Sequence, residues 1–189
     1  MMDSQPITPA ERERLTGYLA RSGERLLALT RGLTAAELDY KPAPDRWSIA
    51  ECLEHLTVVE NRVLGRIEAA LGETPDPTKR SAWEGRDEEL IRTIENRTPR
   101  VKAPELVEPK RQWGHEELFR QLEAARRRTL EFASAAHGAL RSYLLPHPLF
   151  GELDCYQWLL AAAAHFERHR AQCEEILAEA DFPRAGVSR

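Results

Sequence analysis

The stretch DCYQWLLAAAAHFERHRAQCEEIL, residues 154–177, decides how the rest of the chain is read. Asp154 followed three residues later by Gln157 is an Asp/Gln form of the capping box, which satisfies two orphan backbone donors reciprocally. Behind it Trp158, Leu159, Ala162, Ala163, Phe166, Ile176 and Leu177 mark a buried stripe, so the spacing predicts a helix from about 154 to 180. His165 and His169 lie four residues apart on it, ~40° round the axis and ~6 Å along it, so both imidazoles can reach one ion.

Working outward, the same start signal recurs upstream. Thr8-Pro9-Ala10-Glu11 adds proline at the first helical position, and Leu15, Leu19, Leu26, Leu27 and Leu29 then run to Gly32, giving a first helix over about 9–31. Thr34-Ala35-Ala36-Glu37 opens only a turn or two before Pro42 and Pro44 force an extended link. Ser48-Ile49-Ala50-Glu51 opens a second long helix over about 48–71, with Gly72 as its C-cap. A third runs over about 115–136, with Leu118, Phe119, Leu122, Ala125, Thr129, Leu130 and Phe132 as its stripe. Between the second and third, about 73–112 holds five prolines and a high charge density, with a helical look only from Glu88 to Glu95. A connection that long covers something or makes a functional rim; Trp83 and Trp113 either pack over one end of the bundle or belong to its core. Pro146 and Pro148 predict an extended link before the last helix, and no β-alternation of useful length is visible. The expectation is an all-α chain of one domain, 1–189, folded as a four-helix bundle with a long crossover between helices two and three.

Composition narrows the function classes. The 189 residues suit one domain, 42% hydrophobic and 31% charged residues are globular values, and no apolar stretch approaches the ~20 residues of a membrane span. The opening MMDSQPITPAERERL has no apolar segment after a basic one, so a cytoplasmic protein is expected. A net charge of -4 argues against nucleic acid, and Arg126-Arg127-Arg128 reads as a solvated helix face. Cys52, Cys155 and Cys173 have no CxxC spacing and read as reduced packing residues.

His55 lies inside the apolar pattern of the second helix, between Leu53 and Leu56, where an unpaired polar ring costs free energy. Taken alone it is a core histidine with a hydrogen bond. Together with His165 and His169 it makes a set of three neutral imidazoles suited to one divalent ion with an open position. The HExxH chemistry of zinc proteases is excluded, because Phe166 stands where the glutamate would be and Glu167 lies ~100° further round the helix. Glu51, four residues before His55, is a candidate general base, although the capping box already accounts for it. Arg168 and Arg170 are candidates for meeting an anionic group or surface ion pairs. His115, His137 and His147 fit loops or helix ends.

Trp47-Ser48-Ile49-Ala50-Glu51 with His55-Leu56, the run His147 to Asp154, Gln157-Trp158-Leu159, and the HxxxH ending in Arg170-Ala171-Gln172 together resemble the DinB-like superfamily over nearly the whole chain. The resemblance implies a four-helix bundle whose histidine triad, here His55, His165 and His169, binds one divalent metal, often zinc or nickel. It further implies a metal-dependent enzyme, a thiol-dependent transferase or hydrolase in which the metal activates a low-molecular-weight thiol toward a small electrophile. Two rivals stand beside it: a non-catalytic metal-binding or stress-response scaffold that dimerises through the bundle, and a metal-free histidine core. Partners expected are a small-molecule substrate and a second copy in a homodimer, with no nucleic acid and no membrane.

Overall fold

Four capping boxes set the helix starts. In the computed structural model, which describes residues 7–76, 78–99, 101–136 and 139–184, the side chains of Thr8, Thr34, Ser48 and Asp154 each accept from the backbone N–H three residues on. Behind them run α1 (Pro9–Thr30), α2 (Ala35–Asp39), α3 (Ile49–Leu71) and α6 (Cys155–Leu177); α4 (Asp87–Glu95) and α5 (His115–Ala135) start without a side-chain cap.

Cross-helix contacts fix the directions. Tyr156 Oη donates to Glu11 O near the starts of α6 and α1, and Arg25 meets Glu167 further along, so these two run parallel. Leu53 and Leu56 early in α3 share one apolar cluster with Leu118 and Leu122 early in α5, so α3 and α5 are parallel as well, and with Cys173 and Ile176 late in α6, so α3 and α6 are antiparallel. Neighbouring helices of ~35 Å that run the same way cannot be joined by a short loop, which is the physical reason for the long crossover. It travels back along α6 and then over the start of α3. Arg168 donates to the carbonyls of Ile94, Asn96 and Pro99, and Arg97 binds Glu175 and Gln172.

The core divides into two apolar clusters, one around Leu15, Ile67, Tyr156 and Leu159, the other around Leu26, Leu53, Leu56 and Phe166. Trp83 packs on the first and Trp113 on the second, so the two tryptophans do not share one end of the bundle. Each anchors the crossover where it leaves and where it arrives.

Three local expectations are corrected. The link before α6 is a two-stranded antiparallel hairpin, β1 (Leu144–His147) and β2 (Gly151–Asp154), with Leu144 opposite Asp154. Four-residue strands containing Pro146 are too short to display alternation, and Gly151 at φ 69° supplies the left-handed position at the turn. The last helix ends at Leu177 rather than near 180. Arg126 is buried, unlike the solvated face expected of the basic run: its guanidinium lies on the Phe166 ring and reaches Leu19 O and Ser22 Oγ. Among the described residues no helix is long and apolar enough to cross a membrane.

Candidate metal centre

The capping box at Ser48 starts α3 so that His55 falls on the buried face of its second turn, and the Asp154 box does the same for His165 and His169 in the middle of α6. Because α3 and α6 are antiparallel, the three rings meet. His165 Nε2 lies 3.3 Å from His55 Nε2 and 3.0 Å from His169 Nε2, and one ring nitrogen from each histidine lies within 4.8 Å of the others. Four-coordinate zinc with ~2.05 Å Zn–N bonds holds its ligand nitrogens about 3.3 Å apart, so the spacing fits a single ion. Two of the three rings are buried, His55 at 4% exposed and His169 at 6%, and His165 is partly exposed.

One hydrogen bond sets the chemistry of His55. Its Nδ1 lies 2.7 Å from Val107 O, and a carbonyl can only accept, so Nδ1 carries the proton and Nε2 presents a lone pair to the other rings. Burial holds the pKa of all three imidazoles below the ordinary range, most strongly for His165 and His169, where the neighbouring ring adds repulsion. The lowered values favour neutral rings at physiological pH, the form that a metal ion takes. A proton on His169 Nε2 leaves the lone pairs of His55 and His165 facing each other, a repulsion that a shared cation would relieve; with Nε2 unprotonated, His169 carries its proton on Nδ1, an atom without a partner among the described residues. Three converging lone pairs in a buried site could hold a divalent metal. Trp47 closes one side, its ring 4.8 Å from that of His55 and stacked at 6.2 Å on His169.

The other candidates are placed elsewhere. The Glu51 carboxylate accepts from Ser48 N–H at 2.8 Å and from Lys41 Nζ at 3.1 Å, as cap and ion pair. Arg168 grips the crossover and Arg170 pairs with Glu167 and Glu174. Cys52 and Cys173 are buried against each other; their hydrogen bond and burial push the Cys52 thiol well above its usual range. Burial likewise takes the Cys155 thiol up to about 12. His147 packs between Phe150 and Trp158, and burial together with Arg66 lowers its pKa to about 4. His115 meets Asp39 at 3.1 Å, and His137 lies outside the described residues. A cleft of about 460 Å³ opens on the α1–α6 face between Tyr18, Arg25 and Arg170, without any triad residue in its lining. Sequence reasoning missed the Val107 carbonyl, since a backbone acceptor has no residue-type signature. It also missed Glu54, whose signal was a carboxylate inside an apolar stripe.

Two comparisons bear on kinship and one on fold. The chain is 28% identical over 151 residues to the uncharacterized protein YuaE of Bacillus subtilis (strain 168), covering 77% of this chain and 86% of that one. The crystal structure of TT2238, a four-helix bundle protein, superposes with a TM-score of 0.53 at 22% identity over 87% of this chain and 98% of the other, a likeness of fold. The model of the DinB superfamily matches residues 18–173. That match reaches all four bundle helices and every histidine of the triad, and the chain belongs to the DinB superfamily.

Proposed function

We propose that His55, His165 and His169 hold one divalent metal ion, zinc or nickel, and that the protein is a metal-dependent enzyme, a thiol-dependent transferase or hydrolase acting on a small electrophile. The observation that carries this is the convergence of three imidazole nitrogens within 4.8 Å of one another between α3 and α6, on two buried rings and one partly exposed. Three protein ligands leave a tetrahedral ion one open position, the arrangement of catalytic rather than structural sites. When bound, such an ion supplies Lewis-acid chemistry that lowers the pKa of a low-molecular-weight thiol or of water.

The chain's own residues do the rest. Val107 O holds the His55 ring in the tautomer whose Nε2 is free to ligate. Trp47 shields the His55 and His169 rings from water on one side. Arg168, with three carbonyl contacts, keeps the crossover laid against α6. The reading includes a cytoplasmic homodimer with no nucleic-acid partner, in keeping with the net charge of -4; light scattering at micromolar concentration giving a monomer would remove the dimer.

The test is thiol consumption by zinc- and nickel-loaded protein with a small haloarene electrophile and a panel of low-molecular-weight thiols. Turnover abolished by His165→Ala supports the enzyme. Tightly bound metal with no turnover for any thiol or for water would leave the non-catalytic scaffold in its place.

A further inference from the structure

Next to the His55 ligand, Glu54 is 3% exposed, and its partners are backbone N–H groups rather than a cation. Its Oε1 accepts from Lys110 N–H at 2.9 Å and from Gln112 N–H at 3.3 Å, both on the returning end of the crossover. Between those donors stands Arg111 at φ 55°, the one non-glycine residue with positive φ among the described residues. A left-handed residue between two others turns the N–H groups on either side of it toward one point, making a concave anion nest. For a residue with a Cβ that conformation is strained and persists only where the surroundings hold it. Here the holders are the Glu54 carboxylate on the backbone and Asp39, which pairs with the Arg111 side chain at 2.9 Å.

Three residues before the first of those donors, Val107 places its carbonyl 2.7 Å from His55 Nδ1. The same stretch of crossover is therefore bound to α3 at two adjacent residues, once through a carboxylate that receives two N–H groups and once through an imidazole that gives one. Charge-assisted bonds to a buried carboxylate are the stronger of the two attachments. We infer that Glu54 is a positioning residue for the metal centre: its grip on the strained Lys110–Gln112 turn holds the Val107 carbonyl on His55 and so fixes which nitrogen of His55 faces His165 and His169. The affinity part of this inference rests on the metal reading above; the tautomer part does not.

The test compares wild type with Glu54→Ala, Glu54→Asp and Glu54→Gln by long-range ¹H–¹⁵N spectra of the metal-free protein and by zinc affinity in chelator competition. Glu54→Asp withdraws the carboxylate by one methylene with little risk to folding, and Glu54→Gln keeps an acceptor oxygen in the nest. Arg97→Ala, which frees the crossover at its α6 end, controls for loosening alone. In wild type His55 should be protonated on Nδ1 only. Glu54→Ala and Glu54→Asp should give mixed tautomers and a 10- to 100-fold loss of zinc affinity, the range of outer-sphere partners of metal-bound histidines, roughly; Glu54→Gln should restore the Nδ1–H form, and Arg97→Ala should leave it intact. An unchanged His55 tautomer in Glu54→Ala or Glu54→Asp, or an equal change in Arg97→Ala, would overturn the inference. Were wild type to take no zinc, the metal reading would fail while the tautomer still judged Glu54.

Discussion

His55 has its two ring nitrogens committed in opposite directions, Nδ1 to the Val107 carbonyl and Nε2 toward His165. Burial keeps it and His169 neutral in the fold, whereas in the unfolded chain an imidazole protonates near the usual ~6.5. The folded pKa is thus the lower one. Below pH about 6.5 the unfolded chain takes up protons that the fold refuses, so their contribution is present above that pH and lost as the pH falls, with a limiting slope of about 1.4 kcal/mol per pH unit for a histidine that stays neutral in the fold. Urea unfolding of the metal-free protein from pH about 7.5 to about 5.5 should show that decline, with a shallower slope in His169→Ala; identical slopes would be inconsistent with a buried neutral His169. The triad was legible in the sequence because two of its members share one helix at a fixed spacing and the third interrupts an apolar stripe. The groups that aim it were not, because a carbonyl and a carboxylate from distant segments meet only once the crossover has folded back.

Among the elements, α6 carries two of the three converging histidines and depends most on its start. Asp154 caps Gln157 N–H at 2.7 Å and receives Arg141 at 3.0 Å, yet burial outweighs both and raises its pKa to about 6. A carboxyl raised in the fold prefers its proton there, so its contribution is fully present below about pH 4 and lost as the pH rises through about 6. Asp154→Asn keeps the cap without the titration. We expect the wild type to lose on the order of 2–3 kcal/mol relative to that variant between pH about 4 and about 7, by urea midpoints. Asp154→Ala should cost about 1 kcal/mol at the cap itself. Helix starts were readable because capping boxes are local in sequence, and all four boxes formed. The hairpin of β1 and β2 was not, since strands of four residues carry no period, and it is held by tertiary bonds such as Trp158 Nε1 to Leu145 O at 3.0 Å.

For the whole molecule, the four bundle helices meet at a buried ion pair. Glu60 of α3 lies 3.0 Å from Arg126 of α5, whose guanidinium also touches Leu19 O on α1 and the Phe166 ring on α6. Burial raises the pKa of Glu60 and lowers that of Arg126, the direction expected when water is removed from both. Breaking the pair by Glu60→Ala or Arg126→Ala should cost about 3–5 kcal/mol, because each leaves a buried charge unmatched, while Glu60→Leu with Arg126→Met should cost much less. Additive single costs in that cycle would mean that the two side chains are not coupled. The bundle itself was legible from four amphipathic stretches, but Arg126 was misread because the run Arg126-Arg127-Arg128 gives no local sign of which arginine turns inward. Only the parallel packing of α5 on α3 selects it.

The most direct test is the metal content of protein purified without a polyhistidine tag, by elemental analysis, beside His55→Ala and His169→Ala. Three converging imidazoles should hold about one zinc or nickel ion per chain, and both variants should lose it while remaining helical by circular dichroism. A wild type that takes up no divalent ion even after reconstitution, or variants that keep it in full, would contradict the metal centre.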